Sequence, residues 1–303
     1  MSGKPYSRLS EIPSGSAKGP IVSGCLVLEG GAFRGLYTQG FLDAMMQADL
    51  NMSHVIGVSA GALSGLNYVA GQIGRSARIN LGFRHDDRYI GAKAFLHSGS
   101  VLDIGFLTED RHALEPLDEE RFNRPGQTLV AVATNCQTGE PEYFEQGKCD
   151  DIFLAVRASA TMPYLSPMVD IGGVPYLDGG CSCKIPYKWA LERGFDKIIV
   201  IRTRDVDFRK GGREHKAALR IYRDYPEFAR RLAMSDIDYN RQCNEIERLH
   251  AKGALMCIAP SQPVEVSRLE PDVEKLGELY WLGWQDAANK LDEMVDYLLG
   301  PAA

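Results

Sequence analysis

The pentapeptide Gly57-Val58-Ser59-Ala60-Gly61 sets a serine between two glycines, each two residues away. A serine hydroxyl can attack a carbonyl carbon only where it stands clear of the chain, and a sharp strand-to-helix turn exposes it in that way. Glycine on either side, at Gly57 and Gly61, leaves room for such a turn. A helix opening just behind the serine would aim unpaired N–H groups and a partial positive charge at the same point. The chemistry this spacing suggests is nucleophilic acyl transfer. An ordinary glycine-rich connection between strand and helix would give the same five residues.

A second candidate is Gly30-Gly31-Ala32-Phe33-Arg34-Gly35. Ester cleavage passes through a tetrahedral intermediate with a negatively charged oxygen, and backbone N–H groups of a side-chain-poor loop can converge on it. Each such donor contributes roughly 3 kcal/mol. The competing reading is a phosphate cradle for a nucleotide, since the loop follows an apolar run and precedes a helical pattern. A dinucleotide fingerprint asks for glycine where Ala32 stands, and for an acidic residue at the end of the next strand, where Ser59 stands instead.

Asp178-Gly179-Gly180 supplies the third candidate. A serine needs a base, and in a Ser-Asp-His hydrolase of this elbow type that base would be a histidine following the acid. Of His54, His85, His97, His112, His215 and His250, only the last two follow Asp178, and both sit among charged residues that suit a solvated helix face. An aspartate acting directly on the serine is the more economical base. On local sequence alone, Asp178 also reads as an Asp-Gly turn residue.

These residues need elements to hold them. Cys25 to Leu28 reads as a strand ahead of the glycine loop, with Leu36, Gly40, Phe41, Ala44 and Met45 at helical spacing behind it. His54 to Val58 reads as a second strand, and Ala62 to Gln72 as the helix after Ser59. Leu129–Ala133, Lys197–Ile201 and Ala254–Ile258 read as further buried strands, and Met168–Ile171 with Val174–Leu177 as a hairpin around Gly172-Gly173. Nearly continuous apolar strands alternating with helices predict a three-layer α/β/α fold on a mostly parallel central sheet. Two or three surface helices are expected between Glu214 and Lys252, and a helical tail from about Leu269 to Leu299. The organisation expected is a flexible segment over 1–20, a catalytic domain over 21–260, and a helical C-terminal extension over 261–303 packed on that domain.

The 303 residues are 45% hydrophobic with a formal net charge of -6, so a sizeable core is expected and nucleic acid is not an expected partner. Seven irregularly spaced cysteines suggest reduced thiols in the cytoplasm. Cys181 and Cys183 have no His/Cys cluster beside them and read as small buried residues, so no metal is expected. The polar first twenty residues lack the apolar centre of a signal peptide, and no apolar run reaches membrane-spanning length. Any membrane contact is expected to be peripheral. A basic stretch, Arg204, Arg209, Lys210, Arg213 and Lys216, could meet anionic headgroups, but interleaved acids favour a solvated loop. Met45, Met46 and Met52 read as core rather than an acyl tunnel.

A glycine loop with a basic residue, then G-x-S-x-G, then a distant D-G-G, in that order, resembles the patatin-like phospholipases. The family's first loop is usually D-G-G-G-x-[RK]-G; here Gly30, Gly31, Arg34 and Gly35 match, while Glu29 and Ala32 depart. Further family-like stretches are Ala133–Glu140, Arg157–Pro163 and Tyr176–Gly180 with Ile185-Pro186. The resemblance implies a Ser59–Asp178 dyad without histidine, an oxyanion loop at Gly30, Gly31 and Ala32, no cofactor, and an acyl-ester lipid as substrate. Ala32 keeps its N–H, so the loop functions if its torsion angles tolerate a methyl group. Arg34 is expected to anchor the loop by tying neighbouring carbonyls together; the other reading turns it toward a substrate phosphate. Two further functions stay open at this point: a soluble carboxylesterase or thioesterase, and a non-catalytic module binding an anionic ligand.

Overall fold

Strands rich in Val, Ile and Leu at every position, rather than at alternate ones, must be covered on both faces. A computed structural model describes residues 3–99, 115–212 and 214–300. Its strands are β1 (Gly15–Ser16), β2 (Ile21–Leu28), β3 (Asn51–Val58), β4 (Gln72–Ile73), β5 (Thr128–Asn135), β6 (Pro141–Glu145), β7 (Val169–Ile171), β8 (Val174–Asp178), β9 (Ile198–Ile201) and β10 (Met256–Ile258). Eight of them form one sheet in the order β10-β9-β2-β3-β5-β8-β7, with β6 also paired to β5. The run from β10 to β5 is parallel, and β6, β8 and β7 join antiparallel. This is the expected three-layer α/β arrangement.

The pleat sorts the strand residues between two cores. Leu26, Leu28, Val55, Leu129, Ala131, Ile199 and Ile201 pack on one face with residues of the helices Gly35–Gln47, Ala60–Val69 and Val273–Asn289. Cys25, Val27, Ile56, Val58, Val130, Val132, Ile198 and Val200 pack on the other, against Tyr187–Glu192 and Pro226–Ala251. Each large side chain buried this way contributes about 1.5–3 kcal/mol.

The segment between Glu214 and Lys252 holds two helices, as expected, Ala217–Ile221 and Pro226–Ala251, but the second is not confined to the surface. It is 26 residues long and buries a stripe in which Tyr239, Cys243 and Ile246 cover the second face while Phe228 and Leu232 pack with Leu177 and Cys181. Its many charges mask that stripe in the composition. Residues 3–20 differ in the same way from the flexible lead that their polarity suggests: Tyr6, Ile12 and Ala17 are buried, Ala17 donates its N–H to the Gly71 carbonyl, and β1 pairs with β4. Three apolar anchors suffice to hold a segment whose average is polar.

The helix Val273–Asn289 crosses Gly35–Gln47 where each contributes a glycine. A Cβ on Gly40 would stand 2.0 Å from the Tyr280 carbonyl oxygen, and one on Gly283 would stand 2.0 Å from that of Tyr37. This approach lets the Tyr37 hydroxyl donate to Asp286 and the Tyr280 hydroxyl donate to Asp43, each at 3.0 Å. The tail thereby supports the helix that carries the glycine loop. Met45, Met46 and Met52 are core residues, as read. Among the described residues no helix is long and apolar enough to cross a membrane.

Candidate active site

Ser59 stands between β3 and the helix Ala60–Val69 with φ 56° and ψ −122°. Such a conformation is strained for a residue bearing a Cβ, and the positions two residues to either side show why they are glycine. A Cβ on Gly57 would meet the Gly61 carbonyl carbon at 2.4 Å, and one on Gly61 would meet the Leu28 carbonyl oxygen at 2.5 Å. The strained turn lifts Ser59 to the C-terminal edge of the parallel strands, the usual place for a site in an open α/β sheet.

Asp178 ends β8 beside it. Its backbone N–H donates to the Thr161 carbonyl at 2.8 Å, and its own carbonyl accepts from Thr134 Oγ1 at 2.9 Å. The carboxylate is buried, accepts the Gly180 N–H at 2.7 Å, and lies close enough to the Ser59 hydroxyl for that group to favour its ionised form. Burial raises its pKa above the ordinary aspartate value, while the Ser59 hydroxyl, the Gly180 amide, Lys184 and Arg268 oppose the rise. A raised carboxylate is a stronger base that is still ionised at neutral pH when donors hold its anionic form.

The sequence-predicted glycine loop lies across from Ser59. Gly30 brings the chain close, since a Cβ there would stand 3.3 Å from Ser59 Cβ. One of the three expected oxyanion donors is already engaged: the Gly30 N–H donates to the Lys184 carbonyl at 3.3 Å. Among the described residues nothing accepts from the N–H groups of Gly31 and Ala32, which leaves two donors. Ala32 sits at φ 50°, in the left-handed region, so the family's glycine at this position has a physical counterpart that the methyl group strains without blocking.

Arg34 departs from the anchoring role. It is 8% exposed, its Nε has no hydrogen-bond partner among the described residues, and its side chain lines the cavity at Ser59. Burial, followed by the charge of Arg204, pushes it down to about 10. Glu29, beside it, has Oε2 turned away to accept the Thr203 N–H at 2.7 Å. A fixed guanidinium does not tie the loop together here. The loop is held by its backbone, with the Phe33 N–H on the Arg268 carbonyl and the Arg34 N–H on that of Gly31.

Among the described histidines only His215 lines this cavity, and its Nε2 is 2.8 Å from Asp236 Oδ2. No imidazole is among the partners of Asp178; His112, like Arg213 of the basic stretch, lies outside the described residues. The rest of that stretch is internal in part: Arg209 pairs with Glu247 at 2.7 Å and Lys210 with Asp236 at 3.0 Å. Cys181 and Cys183 are buried free thiols.

The helix end Arg157–Pro163 holds the two central residues together. Ser159 Oγ accepts the Ser59 N–H at 2.9 Å and donates to the Val132 carbonyl at 2.6 Å, two residues before Thr161 receives Asp178. In the sequence this stretch stands out only through its family resemblance, and nothing beside Ser159 marks its role. Ser59 also stands where two cavities meet. One, of about 50 Å³, is narrow and mostly apolar, walled by Phe33, Leu36, Leu63, Leu66, Ile79 and Tyr89. The other, of about 840 Å³, is wide and polar.

Comparison with known proteins agrees with this layout. A family described as patatin-like phospholipase matches residues 26–191, and a domain of unknown function, DUF6363, matches residues 225–299. The uncharacterized protein YjjU of Escherichia coli (strain K12) is 31% identical over 183 residues, 59% of this chain and 51% of that protein. The probable lipid hydrolase 463L of Invertebrate iridescent virus 6 is 24% identical over 201 residues, 59% of this chain and 69% of that protein. The matched stretch thus spans about half the length of YjjU. VipD from Legionella pneumophila aligns over 93% of this chain and 68% of its own, with 15% identity and a TM-score of 0.46. The type III effector protein ExoU aligns over 92% and 54%, with 14% identity and a TM-score of 0.39. The family match takes in more than half of the 303 residues and contains the elbow, the glycine loop and the aspartate in one continuous stretch; the chain belongs to the patatin-like phospholipase family.

Proposed function

We propose that this chain is a serine acyl-ester hydrolase acting on lipid acyl esters, with Ser59 as nucleophile and Asp178 as its base. The observation that carries the reading is the strained Ser59 beside a buried carboxylate, where a narrow apolar cavity meets a wide polar one. In the first step Ser59 Oγ attacks the acyl carbon while Asp178 takes its proton. The carbonyl oxygen becomes an oxyanion facing the N–H groups of Gly31 and Ala32. The alcohol leaves into the wide cavity with the proton from Asp178, and the acyl chain stays in the apolar one. Water, deprotonated by Asp178, then frees the fatty acid from acyl-Ser59. The chemistry uses no cofactor.

The irregular cysteine spacing supports a cytoplasmic setting, with membrane contact confined to the periphery. Labelling with a fluorophosphonate and mapping the modified peptide tests the nucleophile directly. Label on Ser59, and its loss together with ester turnover in a folded Ser59→Ala protein, is the expected result. Turnover close to wild type in that variant would remove the reading. Activity on short-chain esters, with none on vesicular phospholipid, would instead favour a soluble carboxylesterase. Thermal stabilisation by an anionic ligand, with no labelling at all, would favour a binding module.

A further inference from the structure

The wide cavity carries more positive charge than its carboxylates balance. Six cations line it, Arg34, Lys184, Arg204, Arg209, Lys210 and Arg268, against three carboxylates, Glu29, Asp178 and Asp236. Glu247 takes Arg209 from outside the cavity, at 2.7 and 2.9 Å, so two positive charges stay unbalanced in a chain whose net charge is -6.

The excess is concentrated in three guanidinium groups. Lys210 has Asp236, and Lys184 Nζ donates to the Gly180 carbonyl. Arg34, Arg204 and Arg268 form no ion pair with a carboxylate among the described residues. Arg34 is more than nine-tenths buried with Nε unpartnered, and Arg204 Nε is buried and unpartnered too, although its Nη1 donates to the Val264 carbonyl. Charges of Arg204 and Arg268 both bear on Arg34, and that of Arg268 also reaches Asp178, Lys184 and Lys210. Like charges facing one enclosed volume repel unless an anion joins them. Guanidinium forks match phosphate oxygens in geometry.

Two of the three aromatic rings that line the cavity already carry a cation, Arg204 over Phe208 at 4.4 Å and Lys210 over Tyr239 at 5.0 Å, which leaves Tyr164 as the one ring open to a quaternary ammonium among the described residues.

We propose that Arg34, Arg204 and Arg268 form an anion subsite for a phosphate group carrying two negative charges, so that the preferred substrates are acyl esters whose headgroup ends in a phosphomonoester. The substrate half of this assignment rests on the hydrolase reading; the anion site itself does not need turnover.

Two measurements separate the halves. The first is thermal stability with and without inorganic phosphate, for wild type, Arg268→Gln and Arg268→Lys. Arg268 is an exposed residue at the cavity wall, so these variants are expected to fold. Phosphate should stabilise the wild type, Arg268→Gln should lose most of that gain, and Arg268→Lys should keep part of it. The second compares short-chain phosphatidate, phosphatidylcholine of the same acyl length and a neutral ester as substrates. Wild type should prefer phosphatidate to phosphatidylcholine. Arg268→Gln should lower kcat/KM on phosphatidate about tenfold more than on the neutral ester, mainly through KM. Phosphate stabilisation that is unchanged in Arg268→Gln overturns the site. Stabilisation that depends on Arg268, with both phospholipids turned over equally, overturns the headgroup assignment and leaves a site for free phosphate. No turnover of any ester removes the hydrolase reading alone, since the phosphate measurement still decides the anion site.

Discussion

The hydroxyl of Ser159 accepts the backbone N–H of Ser59 at 2.9 Å, across 100 residues of sequence. The bond fixes the elbow from below, because the same hydroxyl donates to Val132 on the neighbouring strand β5 at 2.6 Å. Ser159 is wholly buried, so no water replaces it when it is removed. Ser159→Ala is expected to cost about 1–3 kcal/mol of stability through the orphaned N–H. It should also lower kcat by about 10–100-fold as the strained turn relaxes. Denaturant unfolding and ester turnover on the same preparation check both.

Asp178→Asn keeps the shape of the residue and its hydrogen bond from Gly180 while removing the base. Turnover is expected to fall by about 10²–10⁴-fold, with the fold retained. In the wild type, burial raises the carboxylate, so the acid limb of the kcat/KM profile should lie above the ordinary aspartate value of 3.8. Activity is lost as pH falls through that limb, because the base must be ionised. A limb at or below 3.8 would count against Asp178 as the titrating group.

Ala32 offers a test of backbone rather than side-chain chemistry. At φ 50° a Cβ carries a cost of roughly 1–2 kcal/mol, which glycine relieves at the expense of a more flexible unfolded chain. Ala32→Gly is expected to be neutral or stabilising by up to about 1 kcal/mol, with turnover kept within a few-fold. Ala32→Val, branched at a position of positive φ, should destabilise and should lower kcat by turning the N–H away from the oxyanion. Equal behaviour of the two variants would mean that the loop does not need this conformation.

Asp43 gives the fold a pH dependence that is separate from activity. It is buried beneath the helix crossing, where it accepts from the Gly74 N–H at 2.9 Å and the Tyr280 hydroxyl at 3.0 Å. Desolvation pushes its pKa up to about 7 against these donors. The folded state then holds a proton that the unfolded state releases near 3.8, so this contribution is fully present below 3.8 and is lost as pH rises through about 7. Its size is on the order of 4 kcal/mol. Asp43→Asn can keep both hydrogen bonds without a charge, so its stability relative to wild type should rise between pH 4 and 8. Parallel melting-temperature profiles for the two proteins would exclude the effect.

The parts legible in the sequence are those decided by neighbours. The Gly57–Gly61 elbow, the loop after Leu28 and the hairpin ending at Asp178 each depend on a few adjacent residues whose sterics show in their types. What escaped reading depends on distant partners. Nothing near Gly30 announces that its N–H goes to Lys184, and nothing near Arg34 announces that Arg204 and Arg268 will surround it. Strand β6, Pro141–Glu145, went unread because it begins with proline and carries two glutamates, a composition suited to its place beside β5 rather than to a buried strand. The stripe on Pro226–Ala251 was hidden by the charges on its exposed side.

The crossing at Gly40 and Gly283 also bears on how this protein is made. Tyr280 and Asp43 are 237 residues apart, and Tyr37 and Asp286 are 249 apart. A ribosome adding about 5–20 residues per second leaves the early helix without its partner for some tens of seconds. During that interval the apolar surface around Tyr37 and Phe41 is open to the wrong partners, and the glycine loop has no settled support. Closing contacts of such high sequence separation is slow, so a helix that emerges late, Val273–Asn289, sets the moment at which Gly35–Gln47 becomes fit for use.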